Sequence, residues 1–272
     1  MAFLKVKGIN VYYRIWNETS EHTIVMLHGF TGSAHTWEPI ARQLSGFRVI
    51  AVDCIGHGKT DCPIDVSLYE MEHQINVLEE VCRQLQLDSF SLVGYSMGGR
   101  IALSYAVKYP QRINALLLES ASPGLKTEEE RIARRKADCQ LADKIEANGI
   151  ESFVKAWENI PLFTTQKRLP ESVQHEIRKE RLGQCANGLA NSLRGMGTGK
   201  MPTLWERLKE LQMPVILLTG KLDGKFENIA REMTALNKKV QHLTVNDVGH
   251  AIHVENPSEF ATIIEEKISS IR

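Results

Sequence analysis

Short apolar runs rich in β-branched residues recur along the chain: TIVMLHG, FRVIAVD, FSLVGYS, INALLLES, PVILLTG and VQHLTVND. Their near-continuous apolarity predicts strands covered on both faces, as in a parallel sheet. Helical patterns lie between most of them. In YEMEHQINVLEEVCRQLQL, residues Ile75, Leu78, Val81, Cys82 and Leu85 recur at three- and four-residue steps, the period of one helix face. GGRIALSYAVKYP repeats this more loosely through Ile101, Tyr105 and Val107 to Tyr109, with Pro110 closing the helix. PSEFATIIEEKISSI opens on proline and carries a stripe at Phe260, Ile263, Ile264 and Ile268, which predicts a third helix. The opening MAFLKVKGINVYYRIW alternates polar and apolar residues and predicts a strand pair turning near KGIN. Strands alternating with helices imply an α/β fold built on a mostly parallel, doubly wound sheet with right-handed crossovers.

One stretch breaks the rhythm. From about 122 to 207 no strand pattern appears, and the segment runs from SPG through the charged KTEEERIARRKADCQLADKIEANG to MGTGKMPTLWERL. Eighty or so residues of helix inserted after the sixth strand predict a helical cap over the carboxyl edge of the sheet, where ligands bind in open α/β folds. The chain then reads as a single domain, 1–272, with that insertion.

Composition narrows the classes of function. The 272 residues are 43% hydrophobic and 24% charged, and 33 Lys+Arg balance 33 Asp+Glu. That composition is ordinary for a soluble globular protein. A nucleic-acid partner would call for a basic excess, which is absent. No apolar stretch approaches the ~20 residues of a membrane span, and the start lacks a basic region leading into an apolar run. Five scattered cysteines without a C-x-x-C pair read as free thiols in a reducing compartment. Together these features point to the cytoplasm.

The chemistry starts at Gly94-Tyr95-Ser96-Met97-Gly98, a G-x-S-x-G between the end of one predicted strand and the start of a helix. That context puts the serine on a sharp turn that needs small neighbours. A hydroxyl is inert until a base takes its proton and a third group orients the base. The chain order for this arrangement is Ser, then Asp or Glu, then His. His250 in NDVGHAIHVENP follows a glycine in the loop before the last helix and is the expected base. His242 lies within a strand pattern, and His253 is expected to support the loop or start the next turn. Asp223 in LLTGKLDGKF, directly after the strand that follows the cap, is the expected acid. Asp247 is the rival, but it stands too near His250 along the chain. The Met97 N–H at the helix start and the Phe30 N–H after TIVMLHG are the expected oxyanion donors. His28 and His57 read as scaffold. No H-E-x-x-H or paired Cys/His spacing suggests a metal.

LHGF, DCIGHGKTD, GYSMGG, GKLD and GHAIHVENP occur in the order found in the α/β-hydrolase fold, and the resemblance spans nearly the whole chain. GYSMGGR, ESASPGLKTEEERIARRKADCQLA, FVKAWENIPLF and GHAIHVENP narrow it: the chain resembles the 2-succinyl-6-hydroxy-2,4-cyclohexadiene-1-carboxylate synthases of menaquinone biosynthesis. The resemblance implies a lyase that eliminates pyruvate from a small-molecule substrate with three carboxylates, without metal or organic cofactor. A polycarboxylate in a neutral protein needs fixed cations, and arginine's planar fork suits carboxylates. Arg100, one helical turn after Ser96, is placed to face the pocket. The resemblance carries substrate-binding roles to Arg134, Arg181, Tyr95 and Trp157, while Arg131 and Arg135 read as surface residues. Ser96, relayed by His250 and Asp223, is then expected to lift a proton beside the succinyl ketone. Two other readings stay open: a carboxylester or carbon–carbon hydrolase with Ser96 as nucleophile, and a hydrolase-fold binding protein without turnover.

Overall fold

The computed structural model describes residues 2–271. Six apolar runs form the strands they predict: β3 (Thr23–Leu27), β4 (Arg48–Val52), β5 (Phe90–Tyr95), β6 (Ile113–Glu119), β7 (Val215–Gly220) and β8 (Val240–Val245). Before them, β1 (Ala2–Val6) and β2 (Ile9–Trp16) make the expected hairpin. Its two-residue turn, Lys7-Gly8, has both φ angles positive (49° and 88°), as a tight hairpin requires.

The eight strands form one sheet in the order β1-β2-β4-β3-β5-β6-β7-β8. Pairings involving β2 are antiparallel, and all the others are parallel. The chain steps from β3 outward to β4, then crosses back to place β5 on the other side of β3. The strand order therefore reverses between β3 and β5, and a crevice opens beyond their carboxyl ends.

Alternate side chains of a strand face opposite sides, so each central strand feeds two cores. Val25, Leu27 and Leu92 pack with helices α2 (Met71–Gln84) and α3 (Met97–Lys108). Ile24, Met26 and Val93 pack on the other face with the short α1 (Glu38–Ala41) and with Phe260 and Ile264, which belong to the last helix. The stripe expected in α2 is buried at Ile75, Leu78, Val81 and Cys82. Helix α3 read loosely because it is buried on nearly every side, from Met97 through Ala106 except Arg100.

No strand forms between β6 and β7. The segment holds α4 (Glu128–Trp157), α5 (Glu171–Leu182) and α6 (Ala186–Met196), with a 3-10 stretch at Pro161–Arg168. Thr127 and Glu130 start α4 with a reciprocal capping box, and Gly149 (φ 75°) breaks it into two helical pieces. These helices share a small core of their own, centred on Ile145, Phe153, Leu189 and Leu193. Three helices complete the chain: α7 (Gly224–Thr234), the single turn α8 (Ile252–Glu255) and α9 (Pro257–Ser269). No helix among the described residues is long and apolar enough to cross a membrane.

The reading of five free thiols is corrected. Cys62 and Cys185 form a disulfide across a separation of 123 residues, while Cys54, Cys82 and Cys139 are free. Spacing could not reveal the pair, because the two cysteines meet only where α6 docks on the loop after β4. There Gly188 sits against Gly56 so closely that a Cβ would lie 2.2 Å from the Gly56 oxygen.

Candidate active site

The elbow at Ser96 rests on two glycines. A Cβ at Gly94 would stand 2.5 Å from the Gly98 oxygen, and one at Gly98 would stand 2.2 Å from the Leu27 oxygen and 2.5 Å from that of His28. Backbone atoms of β3 cannot retreat without breaking the sheet, so Gly98→Ala is expected to cost about 1–3 kcal/mol of stability. A lowered denaturant midpoint with unchanged slope would register it. Between the glycines Ser96 is held at φ 50°, ψ −103°, a conformation that L residues other than glycine seldom adopt. Its side chain is thereby projected off the end of β5.

His250 reaches Ser96 from the loop after β8. Its Nε2 lies 3.1 Å from the serine Oγ, and its Nδ1 lies 2.6 Å from Asp223 Oδ2. A carboxylate only accepts hydrogen bonds, so Nδ1 carries the proton and Nε2 is left bare toward the hydroxyl. Asp223 and His250 are both buried, which shields this short bond from water. Asp247 is exposed and takes no part.

Met97 N–H, first in α3, has no intrahelical acceptor. Neither it nor the Phe30 N–H finds a protein partner among the described residues. Gly29, just before Phe30, lies against Tyr95; a Cβ there would fall 2.5 Å from the tyrosine ring.

A cavity of about 480 Å³ opens over Ser96 and is roofed by the helical segment. Tyr95, Met97, Phe30, Arg100, Arg134 and Trp157 all line it, together with Ser96 and His250. Arg100 Nη1 donates to the Met196 carbonyl (2.6 Å) and touches Met201 Sδ (3.5 Å). Among the described residues no carboxylate pairs with it. Burial first, then the neighbouring Arg134 charge, lowers its guanidinium to about 10, with Asp138 acting in the opposite sense. It remains cationic at neutral pH. Arg134 Nε donates to Asp138 Oδ1 at 2.7 Å. Trp157 stacks among Phe30, Phe153 and Phe163, and its Nε1–H is buried without a protein partner.

Arg181 is the expected ligand that the structure does not bring into this cavity. Its guanidinium lies 4.6 Å from the Phe163 ring centroid and donates to Gln166 Oε1. Phe163 lines the cavity over Ser96, while Arg181 lines grooves outside it. The last turn of α5 directs it there. Arg131 and Arg135 pair with Glu128 near the surface.

Four side chains escaped the sequence reading. Glu119, the last residue of β6, is fully buried and accepts from both the backbone N–H and the Nδ1 of His253 (3.0 Å each). His253 Nε2 meets Thr36 Oγ1 at 3.1 Å, and its ring lies against Tyr95 and Trp37. Asp138 and Ser120 line the cavity with Oδ2 and Oγ lacking protein partners. Glu255 accepts from the Gly249 N–H. The only available signals were a carboxylate ending an apolar strand and an acid four residues after Arg134. His28 links two loops by donating from Nδ1 to Gly29 O and accepting from Cys54 N–H at Nε2. Burial lowers both His28 and His57, the latter to about 3. No cluster of His, Cys, Asp and Glu among the described residues is arranged to hold a metal.

With a serine on a strained elbow, a histidine bonded to both that serine and an aspartate, and a helical roof, the chain belongs to the α/β-hydrolase fold family, whose family model matches residues 22–257. Within that fold it belongs to the 2-succinyl-6-hydroxy-2,4-cyclohexadiene-1-carboxylate synthases. It is 45% identical over 263 residues to a Bacillus subtilis (strain 168) protein that bears this name provisionally, with 96% of each chain covered. The synthase of Salmonella typhimurium (strain LT2) is 30% identical over 237 residues, covering 87% of this chain and 89% of that one. Among solved structures, MenH from S. aureus matches with a TM-score of 0.91 at 37% identity, over 95% of this chain and 98% of that one.

Proposed function

We propose that this chain eliminates pyruvate from 2-succinyl-5-enolpyruvyl-6-hydroxy-3-cyclohexene-1-carboxylate, giving 2-succinyl-6-hydroxy-2,4-cyclohexadiene-1-carboxylate for menaquinone biosynthesis. The observation that carries the reading is Arg100, a guanidinium without a carboxylate partner, in the same cavity as the Ser96–His250–Asp223 relay. A cavity built only to hold an apolar acyl chain has no use for that charge.

Substrate carboxylates bind Arg100 and Arg134, and Tyr95 and Trp157 pack against the ring. Arg181 acts from behind Phe163 as part of the wall. His250 takes the Ser96 proton while Asp223 stabilises the imidazolium that forms. The serine oxygen then removes the proton on ring carbon 2, next to the succinyl ketone. The electron pair flows into the ketone, and the enolate oxygen is held by the Phe30 and Met97 N–H groups. On return, the pair makes the bond between carbons 2 and 3, the former 3,4 double bond moves to 4,5, and the carbon 5–oxygen bond breaks. The departing enolpyruvyl oxygen leaves as pyruvate enolate, which takes up a proton equivalent to the one His250 holds, so that pyruvate is formed and His250 returns to its neutral form. Atoms and electrons balance without water, metal or organic cofactor.

We place the activity in the cytoplasm; three carboxylates bar the substrate from crossing an apolar bilayer, so enzyme and substrate must share one compartment.

Pyruvate formation from the enolpyruvyl substrate, followed beside a p-nitrophenyl ester control, tests the activity. Pyruvate release far exceeding ester turnover is expected. Ester turnover with no pyruvate would favour the hydrolase reading, and neither product would favour the binding protein.

A further inference from the structure

The loop that carries His250 is tied to the helical roof through one carboxylate. Glu255, in α8, accepts from the Gly249 backbone N–H at Oε2 (2.8 Å) and from Thr165 Oγ1 at Oε1 (3.0 Å). Gly249 immediately precedes His250. Thr165 belongs to the 3-10 stretch whose Leu162 and Phe163 line the cavity over Ser96. Contact between the two sides is close: a Cβ at Gly249 would lie 2.3 Å from Thr165 Oγ1. The Phe163 ring stands 6.4 Å from that of His250.

We infer that Glu255 is a positioning residue, and that the Thr165–Glu255–Gly249 link sets the His250 loop in its working geometry when the roof segment 161–168 is docked. The inference rests on the pyruvate-eliminating reading only for its kinetic readout. Each oxygen of the carboxylate serves one side, so moving Thr165 away leaves Glu255 free to turn and loosens its hold on the Gly249 N–H. Hydrogen bonds to a charged acceptor are the stronger kind. The imidazole must stay aligned on both Asp223 and Ser96, and a displacement of order 1 Å there can reduce turnover about a hundredfold. Coupling of this kind is reciprocal: what the roof does to the loop, the loop does to the roof.

The experiment uses the full chain carrying Thr165→Val, Thr165→Ser, Glu255→Gln, and the valine and glutamine changes together. Amide hydrogen exchange is followed in segments 247–251 and 161–168, with β7 as an internal reference and thermal unfolding as a control. Thr165→Val is expected to speed exchange in 247–251 by about tenfold, and Glu255→Gln to speed it in 161–168 likewise, with β7 unchanged. For pyruvate release, Thr165→Val lowers kcat by about tenfold with little change in KM. Thr165→Ser keeps wild-type behaviour, and the double variant is no worse than Glu255→Gln alone. Unchanged exchange in 247–251 on Thr165→Val, or additive losses in the double variant, would overturn the link. If the wild type releases no pyruvate, the activity reading fails and the reciprocal exchange alone decides the link.

Discussion

Pyruvate release by a Ser96→Ala variant is expected to fall by about three orders of magnitude or more in kcat, with the fold intact and KM little changed. The variant removes one oxygen whose only protein partner in the site is His250 Nε2, 3.1 Å away. Neither the backbone of the elbow nor the glycine contacts beneath it depend on that atom. On the proposed mechanism, what is lost is the group that carries the proton between substrate and imidazole, which is needed in the transition state rather than for binding. His250→Ala and Asp223→Asn are expected to cost comparable amounts. Combining any of them with Ser96→Ala adds little, because the three act as one unit. Single-turnover pyruvate assays on variants with wild-type circular dichroism check this. Near-full activity in Ser96→Ala would exclude the serine as the base.

The second large effect belongs to Arg100. Arg100→Met keeps much of the buried stem but removes the guanidinium, and kcat/KM for the polycarboxylate is expected to fall by about two orders of magnitude. Arg100→Lys recovers only part of this, since an ammonium lacks the planar fork. Turnover of an uncharged ester, if present, would be spared. The guanidinium keeps its charge across the working pH range, so the loss is expected at every pH tested. An Arg100→Met variant with wild-type kcat/KM would remove Arg100 from the site.

Most of the frame was legible because it is written in local pattern. Six apolar runs became six strands, since a strand buried on both faces needs apolar residues at consecutive positions. The elbow was legible because only small residues tolerate the approach that Gly94 and Gly98 make to neighbouring backbone. Helix α3 was blurred for the opposite reason. A helix buried on almost every side has no polar face to set its period. The order of loops points to Asp223 rather than Asp247, and in the structure His250 Nδ1 lies 2.6 Å from Asp223 Oδ2.

By itself the sequence determined the α/β alternation, the position of the helical insertion, the strained serine turn and the candidates for base, acid and cationic ligands. Each depends on residues within a turn or two of one another. Tertiary structure alone decided which side chains meet. It put Arg181 behind Phe163, closed Cys62 onto Cys185, buried Glu119 on His253 and joined Glu255 to Thr165. The last three pairs are separated by 123, 134 and 90 residues. Their meeting is set by how sheet, loops and roof pack into one body, and no local period or spacing along the chain encodes it.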